Sequence, residues 1–475
     1  MKTIKHIIWM AVLTLTAATW SACSNNDALA VTEEPVQPRT YTVTTTLSPK
    51  GGAQTRSTMT DNGDGSISAE WQENDQLSVY YDVSPSGTAK TTATVTAVDP
   101  VTKAATITVT LTDPMDGGYI SFRYPLSYWD GSKSPGNQIG TLADINANHA
   151  AISGMGLMTV SGTDVTLPTV TMTPQMCIWK FSFTDGTDDI TSAITKLVID
   201  LPENLITYTV TPESLSTIYV AMYGDDPYSD PYSNVPMSIT AQTATGVYRK
   251  TAASVTLDAG KTYTTTGLAL SKAQVGKVFG ADGNIYANAD AATAASTTAV
   301  AMIAYVGNNT SEASPYNHGL ALAMSDANSG AKCQWKTSNT DAGHTKQSSS
   351  FTAESGLQYN DATHNSDTYP AFKAAIANNS TAVSTGCSAW FLPTGYQWNQ
   401  MINACKNVLG TNNNFKDLRD GFSTCGGTNM QSDHYWSSSE FSANDSWLCT
   451  FGSSDGHWAC LNKGWGLYVR SALAF

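Results

Sequence analysis

The segment Tyr41–Leu47, with the sequence YTVTTTL, decides the fold class of this chain. Tyr41, Val43, Thr45 and Leu47 share one face of a β-strand, because successive side chains of a strand point to opposite sides of the sheet. The same two-residue period returns in short segments that are separated by turns rich in Asp, Asn and Gly. The clearest of these segments are Leu77–Tyr81, Thr106–Thr112, Tyr119–Tyr124, 177–183 and 197–201. Such a series, with almost no helix in it, predicts a mainly β protein built from sandwiches.

The chain changes in texture near residue 272. Seven of its twelve Trp and six of its eight Cys lie beyond that point. Apolar residues recur at helical spacing in two segments there, and four later segments return to the strand period. The predicted helices are Thr368–Asn378 and Tyr396–Leu409, and the predicted strands are Tyr435–Ser439, Ser446–Phe451, His457–Asn462 and Leu467–Phe475. We therefore predict two tandem β-sandwich domains, at 40–165 and 166–271, followed by an α+β domain at 272–475.

Residues 1–23 have the features of a bacterial export signal with a lipid attachment site. Two lysines precede an apolar run at 7–20, and small residues then lead to Cys23. The run is shorter than the roughly 20 apolar residues that span a bilayer. We predict that Cys23 is lipidated and that 24–39 is a flexible tether, which gives an outer-membrane lipoprotein precursor whose mature form lies on the cell surface or a fimbrium. The alternative is an ordinary signal peptide with a cysteine near its cut.

The charge balance restricts the classes of partner. Only 13% of the residues are charged, and the net charge is −14. No basic stripe is present to neutralise phosphates, so we expect no nucleic acid partner, and membrane contact only through the lipid. The sequence also lacks the phosphate-binding G-x-x-x-x-G-K and the zinc-binding H-E-x-x-H motifs. We therefore predict that the protein is not an enzyme.

The segment Gln54–Tyr80, QTRSTMTDNGDGSISAEWQENDQLSVY, resembles the fimbrillin-like pilin proteins of Bacteroidales. The residues that carry the resemblance are Thr55, Arg56, Trp71, Asn74 and Asp75, with the later segments Arg123–Ser127 and Asp258–Tyr263. It covers about residues 40–270 and implies two tandem fimbrillin-like β-sandwich domains. It further implies a pilus assembled by strand exchange, after a trypsin-like protease has cut behind an arginine.

The position of Arg56 suits such a cut better than the position of Arg39. Arg56 follows the strand Tyr41–Leu47, whereas Arg39 precedes it, so that a cut at Arg39 frees only the tether. Loss of the first strand would leave an apolar groove with unpaired backbone groups, which a donor strand from another pilin subunit could fill. The alternative is that Arg56 is an ordinary loop residue.

A second resemblance covers about residues 275–475. The segments Trp390–Trp398, Tyr435–Glu440 and Tyr468–Phe475 have the sequences WFLPTGYQW, YWSSSE and YVRSALAF. In this order they resemble the Fibrobacter-type paralogous domains, which are similar in fold to C-type lectin-like domains and to formylglycine-generating enzymes. The resemblance implies an α+β C-type lectin-like domain. Independently of it, Thr394 is placed to cap a helix that starts after it, and we expect Trp398, Trp436 and Val469 to be scaffold.

The cysteines of an exported chain are more often disulfides than metal ligands. A hairpin centred between Ser454 and Asp455 would place Cys449 directly opposite Cys460, within disulfide range. Packed, reduced thiols are the alternative. Cys177 shares a strand face with three aromatic residues, so we predict a buried, unreactive thiol. The connectivity of Cys333, Cys387, Cys405 and Cys425 stays open, and without a CxxC pair zinc is the weaker choice.

The ligand-binding candidates lie in the loops of the last domain, because loops on a rigid scaffold commonly carry binding. They are Asp433, His434, Asp445, Asp455, His457 and Trp458, with plain solvent contact as the alternative for each. Aromatic faces beside polar edges suit a glycan, or a host or bacterial surface protein. Asn444 and Asp445 only partly match a calcium-lectin motif, so Ca²⁺ stays an alternative, and we expect no other cofactor.

Three functional hypotheses follow. The leading one is a fimbrial tip subunit or adhesin, assembled by strand exchange, whose last domain binds a surface ligand. A stalk subunit donates its own last strand, and here a folded domain follows the β-domains, so we expect that strand to be unavailable. The second hypothesis is a surface lipoprotein that never polymerises and binds glycan. The third is an envelope enzyme of the formylglycine-generating type.

Overall fold

The computed structural model describes residues 39–49, 58–62, 67–129, 136–201, 206–223, 232–378, 383, 386–406, 408–409, 414–452 and 456–475. Cys23, residues 24–38 of the predicted tether, Arg56 and Asp455 lie outside these residues. Strands predominate over helices, which confirms the predicted mainly β class. Within the described ranges, no helix is long and apolar enough to cross a bilayer.

The described residues up to Pro174 include twelve strands and two short α-helices, and a π-helical turn at Ile145–His149 follows the second helix. They are β1 (Thr40–Pro49), β2 (Thr58–Asp61), β3 (Ile67–Glu70), β4 (Gln76–Asp82), β5 (Thr88–Val98), β6 (Ala105–Thr112), β7 (Tyr119–Tyr124), α1 (Leu126–Trp129), β8 (Asn137–Gln138), α2 (Leu142–Asp144), β9 (Ile152–Leu157), β10 (Thr159–Ser161), β11 (Asp164–Thr166) and β12 (Val170–Pro174). Seven of the strands close into a barrel in the order β1-β12-β9-β7-β4-β5-β6. The barrel core contains Leu47, Ile107, Leu111 and Phe122, none of which is exposed.

The next eight strands form two sheets that share one core. They are β13 (Met176–Thr184), β14 (Ile194–Leu201), β15 (Ile206–Val210), β16 (Ile218–Tyr223), β17 (Tyr232–Thr243), β18 (Gly246–Leu257), β19 (Thr262–Ala269) and β20 (Ser271–Lys272). One sheet has the order β16-β13-β19, and the other has the order β20-β18-β17-β14-β15-β8. We call this pair of sheets the sandwich. Cys177 lies in its core with Phe181 and Phe183, as predicted, and burial raises the pKa of the thiol to about 12.

The barrel and the sandwich are joined along a seam. β8 pairs with β15, although it lies between two barrel strands in the sequence. The carboxylate of Asp61 on β2 accepts hydrogen bonds from Lys180 and Tyr219, at 2.5 Å each, and both of these residues belong to the sandwich. The hairpin of β2 and β3 is therefore fixed to the sandwich by contacts that do not involve β1.

The remaining elements form the C-terminal region. They are β21 (Val278–Gly280), β22 (Ile285–Tyr286), α3 (Ala289–Ala294), β23 (Ala299–Val306), β24 (Gly319–Ala323), β25 (Cys333–Gln334), α4 (Pro370–Ala377), α5 (Gly395–Cys405), α6 (Asn414–Gly421), β26 (His434–Glu440), β27 (Asp445–Phe451), β28 (Gly456–Asn462), β29 (Gly466–Leu467) and β30 (Ala472–Ala474). A five-stranded sheet, β22-β21-β23-β24-β30, and a three-stranded sheet, β26-β27-β28, carry most of the strands. The mixture of helix and strand agrees with the predicted α+β class.

Local signals in this region agree with the structure at α5. The Thr394 hydroxyl accepts from the backbone N–H of Gln397, and the Gln397 side chain accepts from the backbone N–H of Thr394. This reciprocal capping box starts the helix where the sequence predicted it. Trp398, Trp436 and Val469 are all fully buried, as expected of scaffold residues.

The prediction of one strand over Leu467–Phe475 was wrong. Two short strands, β29 and β30, occupy its ends. Between them the backbone of Tyr468 bonds to His434 and Trp436 of β26, and the Arg470 guanidinium turns inward to Asp326, with Nε 2.9 Å from Oδ1. The segment is not one continuous strand, because it contacts β26 of the three-stranded sheet near Tyr468 and then pairs with β24 of the five-stranded sheet through β30.

The predicted pairing of Cys449 with Cys460 was also wrong. In the hairpin of β27 and β28, Cys449 lies opposite Trp458, and Cys460 lies opposite Trp447. The centre of the hairpin lies one residue earlier than predicted, and such a shift moves every cross-strand partner by two residues. Cys449 is buried, Cys460 is exposed, and the seven described cysteines are all free thiols.

Candidate functional site

The first candidate site is the position of β1 in the barrel. β1 pairs antiparallel with β6 over eight residues, from Thr40 opposite Thr112 to Leu47 opposite Ala105. Its far end, at Leu47–Pro49, pairs in parallel with β12. β1 therefore lies between β6 and β12 and is the strand that closes the barrel. Without it, both neighbours would present an unpaired edge.

The side chains of β1 complete the barrel core. Val43 is 8% exposed, Thr45 is 7% exposed and Leu47 is not exposed at all. The Thr45 hydroxyl donates to the backbone carbonyl of Pro168 at 2.6 Å, which satisfies the one polar group on this face. Tyr41 packs at the edge of the same core. The four residues that the sequence placed on one strand face do share that face, and they fill an apolar groove.

Asp61 anchors the chain on β2, the next described segment after β1. Both of its sandwich partners are half-buried, and burial together with Asp61 raises the pKa of Tyr219. The segment from Thr58 onward is therefore anchored separately from the segment before residue 50. A break of the chain between these two points would remove the covalent link between β1 and the β2–β3 hairpin and leave the hairpin's contacts with the sandwich in place.

The second candidate site, in the three-stranded sheet, divides into two places. His434 and His457 both lie opposite Thr450, at one end of the sheet, and Asp433 precedes His434. Asp445 lies opposite Asn462 at the other end, five residues from Thr450 along β27, which is about 17 Å away at 3.3 Å per residue. The structure therefore brings Asp433, His434 and His457 together and separates Asp445 from them.

At the His434 end of the sheet, Asp433 interacts with two neighbouring side chains. Asp433 accepts from Lys332 Nζ at 2.6 Å and lies 2.8 Å from His434 Nδ1. Burial opposes the charge, but these hydrogen bonds lower the pKa of Asp433 to about 2. Trp458 packs on Phe351, with the ring centroids 4.4 Å apart, so it is as much scaffold as surface. His457 is exposed.

Sequence reasoning did not find the buried charge network around Glu440. This carboxylate is not exposed, and it pairs with the ammonium groups of Lys346 and Lys463. It also accepts from the backbone N–H of Ala342 at 2.9 Å and of His344 at 3.2 Å. The sequence feature that could have indicated this network is a glutamate at the end of the buried strand β26. A carboxylate is rarely buried unless it is paired, so its partners could have been sought.

Lys463 extends this network to the turn between β26 and β27. Its Nζ donates to the carbonyl of Ala443 at 2.7 Å and to that of Ser442 at 3.0 Å. Lys463 is itself fully buried, beneath the ring of Trp335. The network therefore fixes the backbone immediately before Asp445, which is a candidate ligand-binding residue.

Most of the described cysteines are buried, and Cys460 is the exposed one among them. The described part of the chain contains no group of three or more His, Cys, Asp or Glu side chains arranged to hold a metal ion. Burial raises the pKa of Cys333 to about 11, and it raises the pKa of Cys387, Cys405 and Cys449 as well. Thiols of this kind are inert packing groups more often than nucleophiles.

The chain has partial structural similarity to fimbrial and cell-adhesion proteins. No protein-family model matches the sequence, and no curated protein matches it. A fimbrial protein from Bacteroides ovatus is 12% identical over 91% of this chain and 99% of that one, with a TM-score of 0.38. A protein assigned to cell adhesion, from Bacteroides uniformis, is 14% identical over 48% of this chain and 98% of that one, with a TM-score of 0.28. The tip fimbrial protein Mfa3 from Porphyromonas gingivalis, truncated at its C-terminus, is 11% identical over 46% of this chain and 92% of that one, with a TM-score of 0.22.

Proposed function

We propose that this chain is an exported adhesin subunit of a fimbrium, in which β1 is a replaceable strand. The observation that carries the proposal is the position of β1 as the closing strand of the barrel, with Val43 and Leu47 in the core. A strand of this kind can be exchanged for one from another subunit, because the backbone pairing and the apolar contacts are both available to any strand of matching pattern.

The chain contains a suitable cleavage point for such an exchange. Arg56 lies between β1 and β2, so a cut there would separate β1 from the rest of the protein. Asp61 would hold the new start of the chain, near Ser57, against the sandwich through Lys180 and Tyr219. The lipid on Cys23 would leave with β1, so that lipidation marks the precursor and the mature subunit is held by strand exchange.

The C-terminal region is proposed to bind a glycan or a surface protein. Its last segment, Ala472–Phe475, is buried, and β30 pairs with β24, so this segment is not presented as a donor strand. That arrangement suits a tip subunit, which accepts a strand without donating one. The cluster of Asp433, His434 and His457 is the proposed contact surface.

N-terminal sequencing of the surface form tests the maturation step. We expect a chain that starts at Ser57, and an Arg56→Gln variant that keeps its lipid and stays out of fimbriae. The matched control is Arg39→Gln, which should mature normally. A surface form that starts only at Cys23 would rule out the maturation step.

Binding is tested separately with the full chain on glycan arrays and on extracellular matrix proteins. The double variant His434→Ala/His457→Ala should lose at least tenfold in affinity for the ligand found. The control His149→Gln, which lies between α2 and β9, should keep its affinity. Normal binding by the double variant would show that the proposed contact surface does not bind the ligand.

A further inference from the structure

Two histidines of the C-terminal region face each other through their ε nitrogens. His344 and His364 lie in the long connection between β25 and α4, and their Nε2 atoms are 2.9 Å apart. Both residues are buried, at 9% and 8% exposure. The separation is that of an N–H···N hydrogen bond, so one of the two nitrogens carries a hydrogen and the other accepts it.

The other nitrogen of each ring faces an oxygen that can only accept. His344 Nδ1 lies 3.3 Å from the backbone carbonyl oxygen of Ser438, and His364 Nδ1 lies 2.8 Å from the carboxylate of Asp361. Each Nδ1 must therefore carry a hydrogen if it is to donate to its partner. Two neutral rings with hydrogen on Nδ1 would then place two lone pairs against each other at Nε2, and no hydrogen bond would join them.

We propose that this pair holds one extra proton, as a His364 imidazolium that donates from Nε2 to a neutral His344. Asp361 supplies the counter-charge beside His364, which is why the charge is assigned to that ring. The carbonyl of Ser438 offers His344 no full charge. The proposal does not rest on the proposed function of the chain.

The surroundings agree with a neutral His344. The ring of Tyr359 stacks on it at 4.0 Å, and Trp335 and Phe372 cover its edges. Burial, and next the neighbouring His364, lower the pKa of His344 to about 4. The charged groups nearby are Glu440 and Lys346, which act on this ring in opposite directions and are paired with each other.

The surroundings of His364 leave Asp361 as its nearest charge. Tyr369 and Phe372, at the start of α4, cover the ring, with centroids 4.7 and 5.0 Å away. Hydrogen bonds from His364 outweigh burial and lower the pKa of Asp361, so the carboxylate stays ionised. Tyr359, which also contacts His364, donates to Glu354 and faces this ring only as an aromatic surface.

The consequence is a pH-sensitive latch. The pair ties the segment Ala342–His364 to Ser438, in the middle of β26, and its three hydrogen bonds are made together only while the extra proton is present. As the pH rises and this proton leaves, the rings cannot keep all three contacts: either two lone pairs face each other at Nε2, or one ring carries its hydrogen on Nε2 and loses its Nδ1 contact, so the tie weakens. As the pH falls through about 4, His344 also becomes charged and the two cations repel each other.

Nitrogen NMR of the histidine side chains in the full chain tests the assignment. At pH 7 we expect both nitrogens of His364 to be protonated, and His344 to carry hydrogen only on Nδ1. Asp361→Asn should lower the pH at which the shared proton leaves by at least one unit, with the fold kept. The matched control is His457→Gln, which changes an exposed ring and should leave both signals unchanged.

Hydrogen exchange gives an independent readout of the latch. Between pH 7 and 9, corrected for intrinsic rates, exchange in 342–364 should increase at least tenfold in the wild type. It should be fast at both pH values in His364→Gln. A neutral His364 that accepts from His344 Nε2 at pH 7 would overturn the proposal. Tight binding of a transition metal between the two rings, seen by titration with Zn²⁺ or Cu²⁺, would overturn it equally.

Discussion

The guanidinium of Arg249, on strand β18 of the sandwich, donates from Nη2 to the backbone carbonyl of Gly386 in the C-terminal region at 2.7 Å. Arg249 is only 1% exposed, and its charge lies over the rings of Phe279 and Phe475. The buried guanidinium of the sandwich thus lies in a site formed by residues of the C-terminal region. The sandwich and the C-terminal region are therefore joined by a buried contact.

Replacing Arg249 should weaken this junction strongly. Arg249→Ala removes a charged hydrogen-bond donor and two ring contacts, and we expect a loss of about 2–4 kcal/mol in the free energy of unfolding. Urea unfolding followed by tryptophan fluorescence measures it, with seven Trp in the C-terminal region as reporters. Arg249→Lys keeps the charge but not the planar fork, so it should fall between wild type and Ala. Equal stability of all three would show that the junction does not depend on this side chain.

The Glu440 network should be far more sensitive than a surface ion pair. Glu440→Gln leaves the buried Lys463 without its counter-charge, and breaking a buried pair in this way costs about 3–5 kcal/mol. Asp367→Asn is the control, because Asp367 is 93% exposed and pairs with Lys373 at 2.6 Å. Exposed pairs contribute under about 1 kcal/mol. Chemical denaturation compares the two variants, and similar losses in both would contradict the assigned burial of Glu440.

Acid should destabilise the folded chain through its buried histidines. Burial lowers the pKa of His318 and of His344 to about 4, from an ordinary value of 6.5. Between these two values the unfolded chain binds protons that the folded chain does not, so stability falls as the pH falls from 6.5 to about 4. The loss is on the order of 3 kcal/mol for each histidine.

His318→Gln tests this acid sensitivity. Lys196 and Arg249 add their charges to the burial of His318, and its Nε2 has no hydrogen-bond partner in the described structure. The variant should lose less stability between pH 7 and 4 than the wild type, by about half of the combined histidine effect. His457→Gln, at an exposed position, should keep the wild-type profile. An unchanged profile in His318→Gln would mean that this ring already carries its charge in the folded state.

Side chains of β1 should differ in importance by the face they occupy. Leu47→Ala opens a cavity in the barrel core and should cost about 2–5 kcal/mol. Thr44→Ala changes an exposed neighbour on the same strand and should stay within about 0.5 kcal/mol. Thermal unfolding of both variants measures the difference. If the two losses were alike, β1 would not contribute to the core as described.

Local sequence patterns were sufficient to predict individual strands and a helix start. They were not sufficient to predict how segments far apart in the chain pack against each other. The alternation at Tyr41–Leu47 and the capping residues at Thr394 were sufficient to place a strand and a helix start, because both depend on neighbours within a few residues. Nothing local showed that β1 lies between β6 and β12 and closes a barrel. That result depends on packing between segments more than 100 residues apart, as in the contact of Thr45 with Pro168.

The candidate site shows the same limit. The sequence placed the centre of the β27–β28 hairpin one residue too late, and that difference is sufficient to separate Cys449 from Cys460. Asp445 is close to His457 in sequence, but it lies at the opposite end of the sheet because β27 is extended. His344 and His364 were missed because their pairing joins positions 20 residues apart without any periodic pattern.

Strand exchange in the cut protein shows directly whether β1 is replaceable. The exported chain from residue 24 is cut at Arg56 with an arginine-specific protease and incubated with a labelled peptide of the sequence Thr40–Pro49. We predict that the peptide replaces the resident strand at one copy per chain and that the barrel keeps its stability. A peptide carrying Val43→Asp and Leu47→Asp should not enter. A resident segment that never leaves, or a barrel that unfolds without taking up the peptide, would show that β1 is not a replaceable strand.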